Sequence, residues 1–268
     1  MHRRWWLLVL SLALPTATRA ESRVEYLSYS GVARARHSTD FLYGERHVLS
    51  YRQGRIAERV VLYTCRDGAA FARKTVSYRD ALVPDFLFEN ASDGMRQGIR
   101  ETATEGAKPA SRSVFYRERA GDPEKSGPLP SAPDLVADAG FDEFVQAHWD
   151  ALMSGRTLHM RFLLPSRLDD YAFQVQRARG ELAQGSPTVV FRLRLSGLWG
   201  WFLPQIDVTY RMADHLLVRY DGISDLHDPS GNNYKTTIEF PDAGRTVATA
   251  QAMLDARQTP LAPCRQPP

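Results

Sequence analysis

Cysteine, lysine and long apolar runs are all scarce in this chain of 268 residues: it has two cysteines, four lysines (Lys74, Lys108, Lys125 and Lys235) and one extended apolar stretch, at its start. Familiar catalytic signatures are absent. There is no Gly-x-Ser-x-Gly elbow, no glycine loop to cradle phosphate, no His-Glu-x-x-His and no Cys-x-x-Cys. The seven histidines are scattered and none pair at metal-ligand spacing, so no metal or other cofactor is expected. Asp169 and Asp170 are sequence neighbours, and on a strand neighbours point to opposite faces, so they are not read as a catalytic acid pair.

The one long apolar run is informative by its position. Arg3 and Arg4 precede residues 5–14, in which only Ser11 is polar; Pro15 then breaks the run, and Thr18-Arg19-Ala20 offers small residues where a signal peptidase cuts. That order is the pattern of a cleavable secretory signal. An apolar core of about 10 residues is too short to span a bilayer, which takes roughly 20. No later stretch is apolar enough to serve, so no transmembrane span is expected. The expectation is a signal peptide at residues 1–20 and an exported, periplasmic product comprising residues 21–268 as one domain. The preference for Arg over Lys, with abundant Ala, suits a GC-rich bacterial gene.

Charge excludes one class of partner. The full chain is +3, from 34 basic and 31 acidic residues, but Arg3, Arg4 and Arg19 lie in the signal and no acid does. Residues 21–268 are therefore formally neutral, and the basic balance gives no ground for nucleic-acid binding.

Cys65 and Cys264 both lie beyond the signal. In an oxidising compartment such a pair is expected to form a disulfide; two free buried thiols are the alternative. A bridge closing a loop of about 200 residues contributes roughly 4–5 kcal/mol in the chain-entropy account.

Period-two patterning dominates the rest. Residues 47–51, 56–64 and 70–78 read as strands separated by Gln53-Gly54 and Asp67-Gly68, where glycine supplies the positive φ of a tight turn. Shorter strands follow at residues 86–88, 97–102 and 113–117. Residues 121–133, rich in Pro, Gly and Ser, read as a mobile loop extending over about 119–137. A helix comes next, with Asp138 able to cap it, Phe141, Phe144, Val145, His148 and Leu152 on one face and Gly155 able to end it. The second half alternates strictly: Val189, Phe191, Leu193 and Leu195; then Ile206, Val208, Tyr210 and Met212; then Leu216, Val218 and Tyr220; then Tyr234, Thr236, Ile238 and Phe240. A short helix at residues 249–257 is placed over one end. The expected fold is mainly β (α+β): a curved antiparallel sheet or incomplete β-barrel with one or two covering helices.

Two segments stand out chemically. Residues 198–204 carry Trp199, Trp201 and Phe202 between two strands, where a connection is ordinarily polar. These rings either close one end of the core or form an apolar lip facing lipid or an oily ligand. Residues 221–234 hold Asp221, Asp225, Asp228 and Asn232, but their spacing misses the EF-hand, and Asp-Pro-Ser-Gly is good turn chemistry, so a hairpin loop is expected there.

In its layout, with successive long strands, a helix placed across them and Tyr-Asp-Gly-Ile-Ser before a last strand, the chain resembles bacterial exported proteins of unknown function. Some of these are built like the half-barrel lipoprotein carriers of the LolA and LolB type. The resemblance implies a curved sheet whose concave side is partly filled by helices, with an apolar cavity between. No motif specific to those carriers occurs, so no functional residue is transferred.

The leading functional expectation is an exported protein that binds a lipid, another hydrophobic ligand or an envelope component. Phe191, Leu193, Ile206, Val208, Leu216 and Val218 would form the wall, with Trp199, Trp201 and Phe202 at the rim. The same wall residues would equally suit a sealed core in a structural or interaction protein of the envelope. An enzyme is less expected; its ingredients would be His159, Ser166 and Asp169.

Overall fold

A computed structural model describes residues 24–102, 111–197, 205–228 and 230–265. The predicted signal peptide and the Trp199, Trp201, Phe202 segment lie outside the described residues. The fold is mainly β, as the alternation predicts. The first half contributes β1 (Val24–Ala35), β2 (Phe41–Arg52), β3 (Arg55–Thr64), β4 (Ala70–Ser77), β5 (Asp85–Asn90), β6 (Arg96–Thr102), β7 (Ser111–Arg117) and β8 (Lys125–Pro128). After β9 (Leu135–Val136) come two helices, α1 (Gly140–Ala147) and α2 (Trp149–Met153). The second half is β10 (Leu158–Leu164), β11 (Asp169–Ala183), β12 (Ser186–Leu195), β13 (Ile206–Arg211), β14 (Leu217–His227), β15 (Asn233–Glu239), β16 (Thr246–Val247) and α3 (Ala250–Gln258).

All these strands belong to one sheet, ordered β8-β7-β6-β5-β4-β3-β2-β1-β15-β14-β13-β12-β11-β10-β9, with β16 paired to β1. The pairing of β1 with β15 joins two meanders, one from each half of the chain. The two ends of the sheet, β8 and β9, are consecutive in sequence, so the short connection at residues 129–134 forces the sheet to curl until its edges approach. Side chains bridge the seam between them. Leu135, Ala137 and Leu163 pack with Val76, Phe86, Ile99 and Val114 from the other end of the sheet. The result is an incomplete β-barrel.

Several details differ from the sequence reading. The stretch read as a mobile loop supplies β8, paired with β7, and β9, which runs parallel to β10. The expected single helix breaks at His148, whose φ of −115° lies outside the helical range. Asp138 does not cap it: it sits at φ 46°, and its carboxylate meets Lys74 instead. A bulge on β14 shifts the register against β13, so that Leu217 pairs with Tyr210 while Tyr220 pairs with Val208, and the expected alternation of Leu216, Val218 and Tyr220 fails. Finally, α3 does not cover an end of the barrel. Met253 and Ala256 pack on Val48, Val60 and Leu62, the face of β2 and β3 opposite to the one that carries His47 and Val61. Thr249 caps this helix, its hydroxyl oxygen accepting from the Ala252 amide at 3.1 Å. Just beyond it, Cys264 stands at bonding distance from Cys65 (Sγ–Sγ 2.00 Å, Cα–Cα 5.7 Å), fastening the tail to the end of β3.

Candidate functional site: a divided lumen

The concave face is not a uniform oily core. Alternation along β2 points Tyr43, Glu45, His47 and Leu49 inward, and Arg59, Val61 and Tyr63 on β3 and Lys74 on β4 face the same space. On the opposite wall, β11 to β13 present Phe173, Leu193, Leu195, Ile206 and Val208. Helices α1 and α2 lie against this second wall, with Phe141, Phe144, Val145 and Leu152 buried on Met160, Val175, Phe191 and Tyr210.

Charge ties α1 to the polar wall. Both terminal nitrogens of Arg59 donate to one carboxylate oxygen of Asp142 at 3.1 Å, and the Tyr210 hydroxyl donates to the other at 2.8 Å. Arg59 and Asp142 side chains are only 11% and 20% exposed, so this is largely a buried pair. Burial opposes the Arg59 charge, but Tyr78, Tyr29 and Asp142 outweigh it and keep the guanidinium protonated. The latch separates two spaces. One, about 740 Å³, lies between the charged wall and the apolar wall. The other, about 770 Å³, opens beside Arg55, Tyr78, Glu143, His215 and Arg245. Arg59 and Asp142 border both.

A second buried cluster forms in the 740 Å³ cavity. The Lys74 ammonium lies 2.8 Å from Asp138 and 3.2 Å from Asp225, drawing together β4, the approach to α1 and β14. Burial opposes the Lys74 charge, and Asp138 with Tyr63 and Asp225 reverses the balance, so its affinity for the proton is raised. Burial pushes Asp138 up, against the pull of Lys74. Nearby, His47 Nε2 lies 2.8 Å from a Glu45 oxygen, and its ring stacks on Tyr29 with centroids 4.4 Å apart. Burial lowers the His47 proton affinity, with the Glu45 hydrogen bond opposing, so the ring is held toward its neutral form.

The predicted wall residues separate. Leu193, Ile206 and Val208 line the cavity. Phe191 is sealed beneath Trp149, edge to face at 5.3 Å. Leu216 borders the second chamber, and Val218 is buried at the bulge. Of the oxygen donors in residues 221–234, Asp221 accepts from Arg219 and Thr237, Asp225 faces Lys74, and Asp228 accepts from the Ser230 and Asn232 amides in its own turn. The aspartates are thus spoken for separately. Asp169 is exposed while its neighbour Asp170 is buried against Arg161, as strand alternation requires. Among the described residues no hydrogen bond joins His159, Ser166 and Asp169. The polar lumen residues Glu45, His47, Arg59 and Lys74 were missed by sequence reasoning. The unbroken apolar run Val60 to Tyr63 was the available signal, because a strand buried on both faces loses its alternation.

The fold and its lumen define an incomplete β-barrel with helices packed inside. A solved structure of similar shape is described as a beta-barrel-like protein of a domain of unknown function, DUF1849, from Brucella abortus; it shares 9% identity at a TM-score of 0.39, covering 85% of this chain and all of that one. No protein-family model matches the chain, and no curated protein matches it in sequence. Among the described residues no helix is long and apolar enough to cross a membrane.

Proposed function

We propose that the chain is exported, loses residues 1–20, and holds a hydrophobic small molecule or envelope component in its lumen. The observation carrying this reading is the 740 Å³ cavity walled on one side by Phe173, Leu193, Leu195, Ile206 and Val208. Its size falls in the range of small-molecule sites. Bonded cysteines favour the export half of the reading, because disulfides persist in oxidising compartments.

Binding would act by burial alone. Each 100 Å² of apolar ligand surface removed from water contributes roughly 2.5 kcal/mol, against which the cost of association is set. Native mass spectrometry of protein purified from a bacterial periplasm tests both halves. The expected spectrum shows a chain beginning near residue 21 and carrying a small apolar adduct. A ligand-free protein that also fails to take up an apolar fluorescent probe would overturn the lumen reading. An intact N-terminus would overturn the export reading.

A further inference from the structure

The two walls of the 740 Å³ cavity differ in kind, and the difference specifies the head of the molecule that fits it. Resting on the lumen reading above, we infer that the cavity takes a single-chain amphiphile whose polar end is an amine or ammonium, and that it discriminates against a carboxylate or phosphate end.

The apolar wall accounts for the chain: Phe173, Leu193, Leu195, Ile206 and Val208 are hydrocarbon side chains facing the space from adjoining strands. The opposite wall is richer in acceptors than in cations. Glu45, Asp138, Asp142 and Asp225 line the cavity, against Arg59 and Lys74. Arg59 is spent on Asp142. Lys74 is shared between two carboxylates, Asp138 and Asp225. Among the described residues Glu45 meets no Lys or Arg, and its partner is the His47 imidazole at 2.8 Å. Arg167 is exposed at the cavity's edge, where water screens it. With Arg167 counted, four carboxylates line the cavity against three cations, so one further cation would offset the surplus, whereas an anion would add to it.

The site already shows that it can house an ammonium. Lys74 Nζ lies within hydrogen-bond reach of the two aspartates and 5.7 Å from the centre of the Phe88 ring. The rings of Tyr43, Tyr63 and Tyr220 line the same region, and aromatic faces attract cations. Asp225, with its side chain 49% exposed, gives the polar wall a carboxylate that a ligand can reach from outside.

The test is displacement of an apolar fluorescent probe from the full chain by decylamine, decan-1-ol and decanoate, which share a hydrocarbon tail. Decylamine is expected to act at a concentration about ten-fold or more below that of decanoate, with the alcohol between them. Glu45→Gln and Asp225→Asn should each narrow that ratio and leave the alcohol unchanged. Asp225, being half exposed, keeps the test open if Glu45→Gln fails to fold. Equal potency of the three would overturn the head-group assignment and leave the lumen reading standing, as would stronger displacement by decanoate. Failure of all three to displace the probe would overturn both.

Discussion

Arg59 on β3 and Asp142 on α1 stand 83 positions apart in sequence and meet inside the barrel, two guanidinium nitrogens on one carboxylate oxygen. The contact holds a helix on one wall of the lumen to a strand on the other, and it borders both chambers. Breaking a buried pair leaves an uncompensated charge, while replacing both partners with apolar groups removes the problem. Asp142→Asn should therefore cost about 3 kcal/mol in urea unfolding, and the double variant Arg59→Met with Asp142→Leu should recover most of that loss.

His47 supplies a pH dependence whose sign follows from its burial. The folded chain holds the ring below its ordinary proton affinity, whereas the unfolded chain protonates it below about pH 6.5. Unfolding in that window takes up a proton, so the contribution of His47 to stability is complete above pH 6.5 and is lost as pH falls. His227, raised by its hydrogen bond to Asp93, acts in the opposite direction and above that window: its contribution is complete below about pH 6.5 and is lost as pH rises. The comparison that isolates His47 is with His47→Gln, which retains His227. The melting temperature of the wild type should fall more between pH 7 and pH 5 than that of the variant.

The Cys65–Cys264 link closes a loop with a sequence separation of 199. Removing a native bridge of this kind costs about 2–5 kcal/mol, more for long loops in the entropic account. Cys65→Ser with Cys264→Ser should lower the urea midpoint accordingly. Because the bridge fastens the segment just after α3, amide exchange should accelerate first in that helix.

Gly140 begins α1, and a Cβ built there would lie 2.0 Å from the Leu82 carbonyl oxygen, which also accepts the Ala137 amide at 2.9 Å. Gly140→Ala must displace backbone, since no side chain can rotate away. A loss of about 1–3 kcal/mol is expected from such overpacking. The ligand-binding readout should change too, because Phe141 and Asp142, next in the helix, line the cavity.

Part of the site was legible beforehand. Leu193, Ile206 and Val208 announce an inward face by alternating with Arg192, Asp207 and Thr209, and the structure sets them on the cavity wall. On the other face Arg192 pairs with Asp207 at 2.6 Å, which compensates a carboxylate that the fold buries. Phe191 alternates in the same way and is nonetheless sealed, because Trp149 from α2 covers it. Alternation reports which face a residue takes, and it carries no information about what later lies on that face. Asp138 shows the same limit: its position before a helix suits a cap, but Lys74, 64 positions earlier, claims its carboxylate.

By itself the sequence determined β2 to β7, β12 to β15 and the mainly β architecture, because these follow from local alternation and turn chemistry, whereas β1, β10 and β11 were not read from it. Tertiary structure alone decided that the barrel stays open at the seam between β8 and β9, that α3 covers the outer face of β2 and β3, and that the lumen is half charged. The physical reason is range. A hydrogen-bonded turn is settled among neighbours, whereas the ion pairs that make a charged lumen tolerable join residues 64 to 151 positions apart and exist only once the sheet has curled.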